Sequence, residues 1–119
     1  MVRDFNLIRN ILLQAETALS GEPLMTLSVD DGVEDAVLAE HLAMMLDAGL
    51  IEGEVNSYKP AGFLIQRLTW SGHDFLENSR NDTVWKKVLA EARAKGTSVS
   101  FTVLNGLLTK AAQKYAGLE

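Results

Sequence analysis

Cysteine is absent from the 119 residues, which excludes a disulfide framework and any metal held by thiolates. Histidine is scarce, with only His41 and His73, and no carboxylates stand at a spacing that would complete a metal site around them. No apolar run approaches the roughly 20 residues that a membrane span requires. The opening Met1-Val2-Arg3-Asp4-Phe5-Asn6 places charges where a signal peptide would begin its apolar stretch. Internal repeats, low-complexity tracts and glycine-rich phosphate loops are all lacking, and no Ser, Thr or Lys stands in a nucleophile motif. The expectation is a cytoplasmic, non-membrane chain that is not an enzyme, with no cofactor, no metal and no small-molecule substrate.

What is present is an ordinary globular composition, 47% hydrophobic and 23% charged, in a length that suits one domain able to bury a core without cross-links. The net charge of −5 is unevenly spread. Residues 1–69 hold eleven acidic side chains against four basic ones (Arg3, Arg9, Lys59, Arg67), a net of −7. Residues 70–119 hold five acidic and seven basic, a net of +2. Phosphate contact is made by Lys and Arg, so the first part of the chain repels a nucleic acid and only the second could attract one.

Apolar spacing predicts a first helix over Asp4–Leu19, through Phe5, Ile8, Leu12, Ala15 and Leu19, with Leu7, Ile11 and Ala18 widening the stripe. Leu24–Val29 reads as a short strand. A second helix is expected over Val33–Ala48, with Leu38, Leu42 and Met45 inward, His41 and Leu46 flanking, and Gly49 as its stop. Glu52–Thr69 reads as a β-hairpin whose loop spans Asn56–Gly62. Thr69 or Ser71 then caps a third helix to Ser79. Its Trp70, Phe75 and Leu76 are expected to close over Ile8, Leu12 and Leu42. A fourth helix follows from Asp82 as cap to Lys95, with Trp85, Val88, Leu89 and Ala92 inward. A fifth runs from Ser98 or Ser100 to Ala116, on the stripe Phe101, Leu104, Leu108, Ala111 and Tyr115. The fold class is therefore mostly α with a small β-hairpin (α+β). Residues 1–80 form a core and 81–119 a C-terminal helical extension, within one domain.

Leu38–Ile51 resembles the end of the recognition helix and the start of the wing in bacterial winged-helix regulators. Leu68-Thr69-Trp70-Ser71-Gly72 resembles the Leu-Thr-x-x-Gly step by which their wing returns to the next helix. Most of the chain is also similar to a family of uncharacterised bacterial and phage proteins classed as a domain of unknown function. The residues that carry this are Arg3-Asp4 through Leu13, Ala48–Ile51, Leu68–Leu76 and Asp82–Lys87. The resemblances imply a winged-helix-like core and a phage or prophage context, and they imply no activity. The chain departs from the regulators in two ways. Between Leu19 and Val33 there are Gly, Pro, β-favouring residues and an acidic pair, so the helix that normally crosses the DNA backbone is missing or one turn long. The outer stripe of the second helix is Ala36, Glu40, Ala43 and Asp47, and such regulators carry polar and basic residues where this chain has Glu40, Ala43 and Met44.

His73-Asp74 resembles the adjacent pair of metal-dependent phosphohydrolases but lacks their further histidines, and Asp74 is expected in the first turn of the third helix. The run Asp30, Asp31, Glu34, Asp35 lacks the alternation of a calcium loop and suits helix capping on a solvated face. Met44 and Met45 cannot both face one core, which leaves Met44 partly exposed. The resulting expectation is a protein-contact module, with a protein partner or self-association favoured over DNA. Its candidate contact residues are Met44, Leu104, Leu107 and Leu108. The alternative is a DNA-binding regulator using Lys59, Arg80, Lys86 and Lys87. Val103 and Leu107 widen the fifth helix beyond what one core face uses, and Gly106 permits close approach, so a homodimer through this helix is a further expectation.

Overall fold

The computed structural model describes residues 3–18, 22–56, 62–94, 100–115 and 117. Among them are five helices and one two-stranded antiparallel sheet, in the order helix, helix, hairpin, helix, helix, helix. The protein is thus mainly helical with a small sheet. The chain divides into two compact units, Met1–His73 and Asp74–Glu119.

In the first unit, α1 spans Phe5–Thr17. Asp4 caps it, its carboxylate accepting from the N–H groups of Asn6 and Leu7 at 3.0 and 3.2 Å. The predicted stripe is buried at Phe5, Leu7, Ile8, Ile11 and Leu12, and the helix lies against the second hairpin strand. No helix occurs in residues 22–34. The strand expected over Leu24–Val29 reduces to a single bridge, in which Leu24 and Ile65 exchange both backbone hydrogen bonds at 2.8 and 2.9 Å. Beyond it the backbone finds a side-chain partner instead. The Gln14 amide accepts from Ser28 N–H at 2.8 Å and donates to Ser28 C=O at 2.7 Å, which satisfies both backbone groups of Ser28 without a ladder.

The second helix, α2, spans Asp35–Asp47. It buries Ala39, His41, Leu42 and Met45, while Met44 is half-buried. Gly49 ends it at φ +74°. The Gly49 N–H bonds to Leu46 C=O at 3.1 Å and the Leu50 N–H to Met45 C=O at 3.0 Å, which is the Schellman arrangement. The hairpin follows as β1 (Ile51–Asn56) and β2 (Gly62–Leu68), with a bulge between Glu52 and Gly53. Most of its loop lies outside the described residues. Ile51, Ile65 and Leu68 point inward with Leu50, and α2 packs against both strands.

The third helix, α3, spans Trp70–Ser79. Thr69 caps it: its hydroxyl accepts from Gly72 N–H at 3.0 Å and donates to Gly49 C=O. The Thr69 N–H bonds to Leu50 C=O at 3.1 Å. A Cβ at Gly72 would stand 2.1 Å from that same Leu50 oxygen. The Leu-Thr-x-x-Gly step therefore has a local physical basis. Thr closes the helix start onto the end of α2, and Gly leaves room for the Leu50 carbonyl. Trp70 departs from expectation, being 84% exposed. At 100° per residue it lies opposite the face that carries Gly72, Phe75, Leu76 and Ser79, all of which are buried. Asp74 is the fifth residue of α3 and so lies beyond the first turn.

In the second unit, α4 spans Asp82–Ala94 and α5 spans Phe101–Tyr115, and the two helices pack together. The cap of α4 is Asn81, whose side-chain oxygen accepts from Val84 N–H at 3.1 Å, so Asp82 is the first helical residue. Phe75 meets Trp85 edge-on at 6.1 Å and stacks on Phe101 at 5.4 Å. Around this aromatic group Val88, Leu89, Ala92, Leu104 and Leu108 are buried.

Candidate functional site

A contact surface needs exposed side chains of one chemistry on a fixed element, and α2 supplies one. Asp35, Ala36, Glu40 and Asp47 are exposed along it, with Ala43 and Met44 half-buried between them. The helix contains no Lys or Arg. Its N-cap position is Glu34, which makes no side-chain capping bond. Asp30, Asp31, Glu34 and Asp35 are all exposed, and none engages an ion pair or a side-chain hydrogen bond among the described residues. The capping role expected of this run is not seen; the carboxylates are left to solvent.

Among the clefts on the described residues of the first unit, two adjoin the hairpin. The larger, about 330 Å³, has Leu24, Ile65 and Leu68 among its apolar lining and Glu16, Arg67 and His73 among its polar lining. Arg67 is already committed, donating from Nε and Nη2 to the two Glu52 carboxylate oxygens at 2.8 Å each. This pair lies across the hairpin and is exposed, so it contributes little stability. The smaller cleft, about 150 Å³, is bounded by Met25, Leu38, Ala39 and Phe63, and Asp35 shares the lining. Met25 is 62% exposed there.

The two histidines have separate fates. His73 is exposed. His41 is fully buried, with Nδ1 bonded to Val37 C=O at 2.8 Å and Nε2 accepting from Asp4 N–H at 2.9 Å. Because the Asp4 amide can only donate, Nε2 is the bare nitrogen and Nδ1 carries the proton. His41 is thus a structural tie between α2 and the start of α1, a role its helical position alone did not reveal. Among the described residues no group of three or more His, Asp or Glu side chains is placed to hold a metal.

The residues expected to make contacts are scattered. Met44 lies half-buried on the outer side of α2. Leu104 and Leu108 are fully buried, which puts them in the interior of the second unit and out of a partner's reach. Leu107 is half-buried and Val103 is 47% exposed, on another side of α5. Lys86 and Lys87 are exposed on α4, with Arg93 exposed about two turns further on. Arg80 is held by Glu77 at 2.6 Å. Lys59 lies outside the described residues.

These features define a small α+β protein with a two-stranded hairpin between its second and third helices and an acidic outer helix. Residues 2–98 match the family described as "Hypothetical protein (DUF2513)", and the chain belongs to that family. An "Uncharacterized protein" of Haemophilus influenzae (strain ATCC 51907 / DSM 11121 / KW20 / Rd) is 30% identical over 105 residues, which cover 87% of this chain and 89% of that protein. No solved structure matches the chain. No helix is long and apolar enough to cross a membrane among the described residues.

Proposed function

We propose that this protein is a non-catalytic interaction module that uses a winged-helix-like scaffold for protein contact, in regulation of the phage or prophage kind. The observation that carries the reading is the outer face of α2, the helix that a winged-helix regulator would present to DNA. It exposes Glu40 and Asp47 beside Ala36 and the half-buried Ala43 and Met44, with no cation. Such a face is repelled by phosphate and suits a protein surface. A second reading, DNA binding through the second unit, is favoured by one observation. Lys86, Lys87 and Arg93 are exposed on α4 and form no ion pair among the described residues.

A photo-crosslinking side chain placed at Ala43 in cells tests the first reading. A discrete protein adduct is expected, and a nucleic-acid adduct would overturn it. Titration with duplex DNA is the companion experiment. Salt-dependent binding tighter than about 1 μM near physiological ionic strength favours the second reading.

A further inference from the structure

We propose that the cleft bounded by Met25, Leu38 and Phe63 receives α5 of a second copy of this chain. The inference rests on the protein-contact reading and names the partner. The cleft joins apolar side chains to an acidic one: Met25 is 62% exposed, Leu38 and Phe63 are half-buried, and the exposed Asp35 shares the lining. Glu34, beside Asp35 in the chain, carries a further carboxylate without a partner among the described residues. The occupant must therefore offer an apolar side chain flanked by cations.

The outer side of α5 has that chemistry. Val103, Leu107, Lys110 and Lys114 fall within about 60° of one another around the helix at 100° per residue. Val103, Lys110 and Lys114 are exposed and Leu107 is half-buried. This stripe is distinct from the buried face at Leu104 and Leu108. The helix contains no Asp or Glu, so nothing on it opposes an acidic lining. Gly106 flanks the stripe, is exposed, and would meet nothing if it carried a Cβ. A glycine there weakens the helix without serving any packing among the described residues, and it leaves bare backbone that another molecule can approach closely. The charges of the two units agree with this pairing. The unit Met1–His73 carries −7 and the unit Asp74–Glu119 carries +2, so unlike units of two copies attract.

Sedimentation velocity on the full chain at micromolar concentrations tests the proposal through charge reversal. Two variants are needed, E34K/D35K at the cleft and K110E/K114E on α5, each checked for native circular dichroism. The unaltered chain is expected to self-associate. Each variant alone should associate at least about tenfold more weakly, because like charges then face each other. An equimolar mixture of the two should recover association, since the Lys-bearing cleft of one meets the Glu-bearing α5 of the other. The proposal is overturned by an unaltered chain that stays at its 13.0 kDa monomer mass. Association that neither reversal weakens, or that mixing fails to restore, overturns it equally. A monomer that still yields a protein adduct from Ala43 would sink this inference and leave the proposed function standing. Duplex binding would sink the proposed function itself.

Discussion

Gly72→Ala probes the junction that the Leu-Thr-x-x-Gly step builds. Two effects of opposite sign meet there. Alanine is the better helix former by about 1 kcal/mol, so on propensity alone α3 would gain. The new Cβ, however, would lie 2.1 Å from the Leu50 oxygen and 3.1 Å from its carbonyl carbon. Both are backbone atoms and cannot swing aside as a side-chain tip can. The start of α3 would have to move by about an ångström, and the same carbonyl accepts the Thr69 N–H at 3.1 Å. Such overpacking costs about 1–3 kcal/mol, occasionally more, and the weakened Thr69 bonds to Gly49 and Gly72 add about 1 kcal/mol. A net loss of roughly 2 kcal/mol is expected, or about 6–12 °C in Tm for a chain of this size. Thermal and urea denaturation followed by circular dichroism measure it. Gly106→Ala, at low protein concentration, is the control: it makes the same propensity change at an exposed position whose Cβ meets nothing. That variant should be stabilised by about 0.5–1 kcal/mol. If Gly72→Ala were as stable as Gly106→Ala, α3 would not pack on Leu50 and the account of this step would fail.

Phe75→Ala should cost about 3–5 kcal/mol, since it empties a site between Trp85 and Phe101; an unchanged urea midpoint would contradict that packing. His41→Leu removes both the acceptor of the Asp4 amide and the bond to Val37. A loss of about 1–3 kcal/mol is expected, together with faster hydrogen exchange at Asp4, and unaltered exchange there would count against the tie. Asn81→Ala should cost about 1 kcal/mol through the lost cap on Val84. Asp82→Ala should cost clearly less, and the reverse order in denaturation would return the cap to Asp82. Trp70→Ser should shift stability by no more than about 0.5 kcal/mol, because the ring is 84% exposed; a large drop in Tm would show it buried.

Much of the architecture was written in local pattern. The three-and-four spacing of Phe5, Ile8 and Leu12 records a helix with one buried side, and α1 buries that side. Gly49 after Ala48 records a helix end, because only a residue at ease with positive φ closes it, and the Schellman bonds form there. The strand residues on either side of Pro60 record a hairpin, and β1 and β2 pair. The uneven charge was equally plain, since counting needs no coordinates. Other features depended on residues far apart in sequence. Leu24–Val29 has strand composition, but only Leu24 found a partner, and Gln14 took the backbone of Ser28. Trp70 is as apolar as Phe75, yet the contacts of Gly72 with Leu50 set the rotation of α3 and turned Trp70 outward. His41 reads as a flanking residue until Asp4 is brought to it across 37 positions. Leu104 and Leu108 offered a contact surface until packing with α4 covered that side of α5 and left Val103 outside. The cleft of Met25, Leu38 and Phe63 was invisible for the same reason, because it belongs to no single element. Periodicity along a chain fixes which side of a segment is apolar; which apolar side is covered, and by what, is decided only when distant segments compete for it.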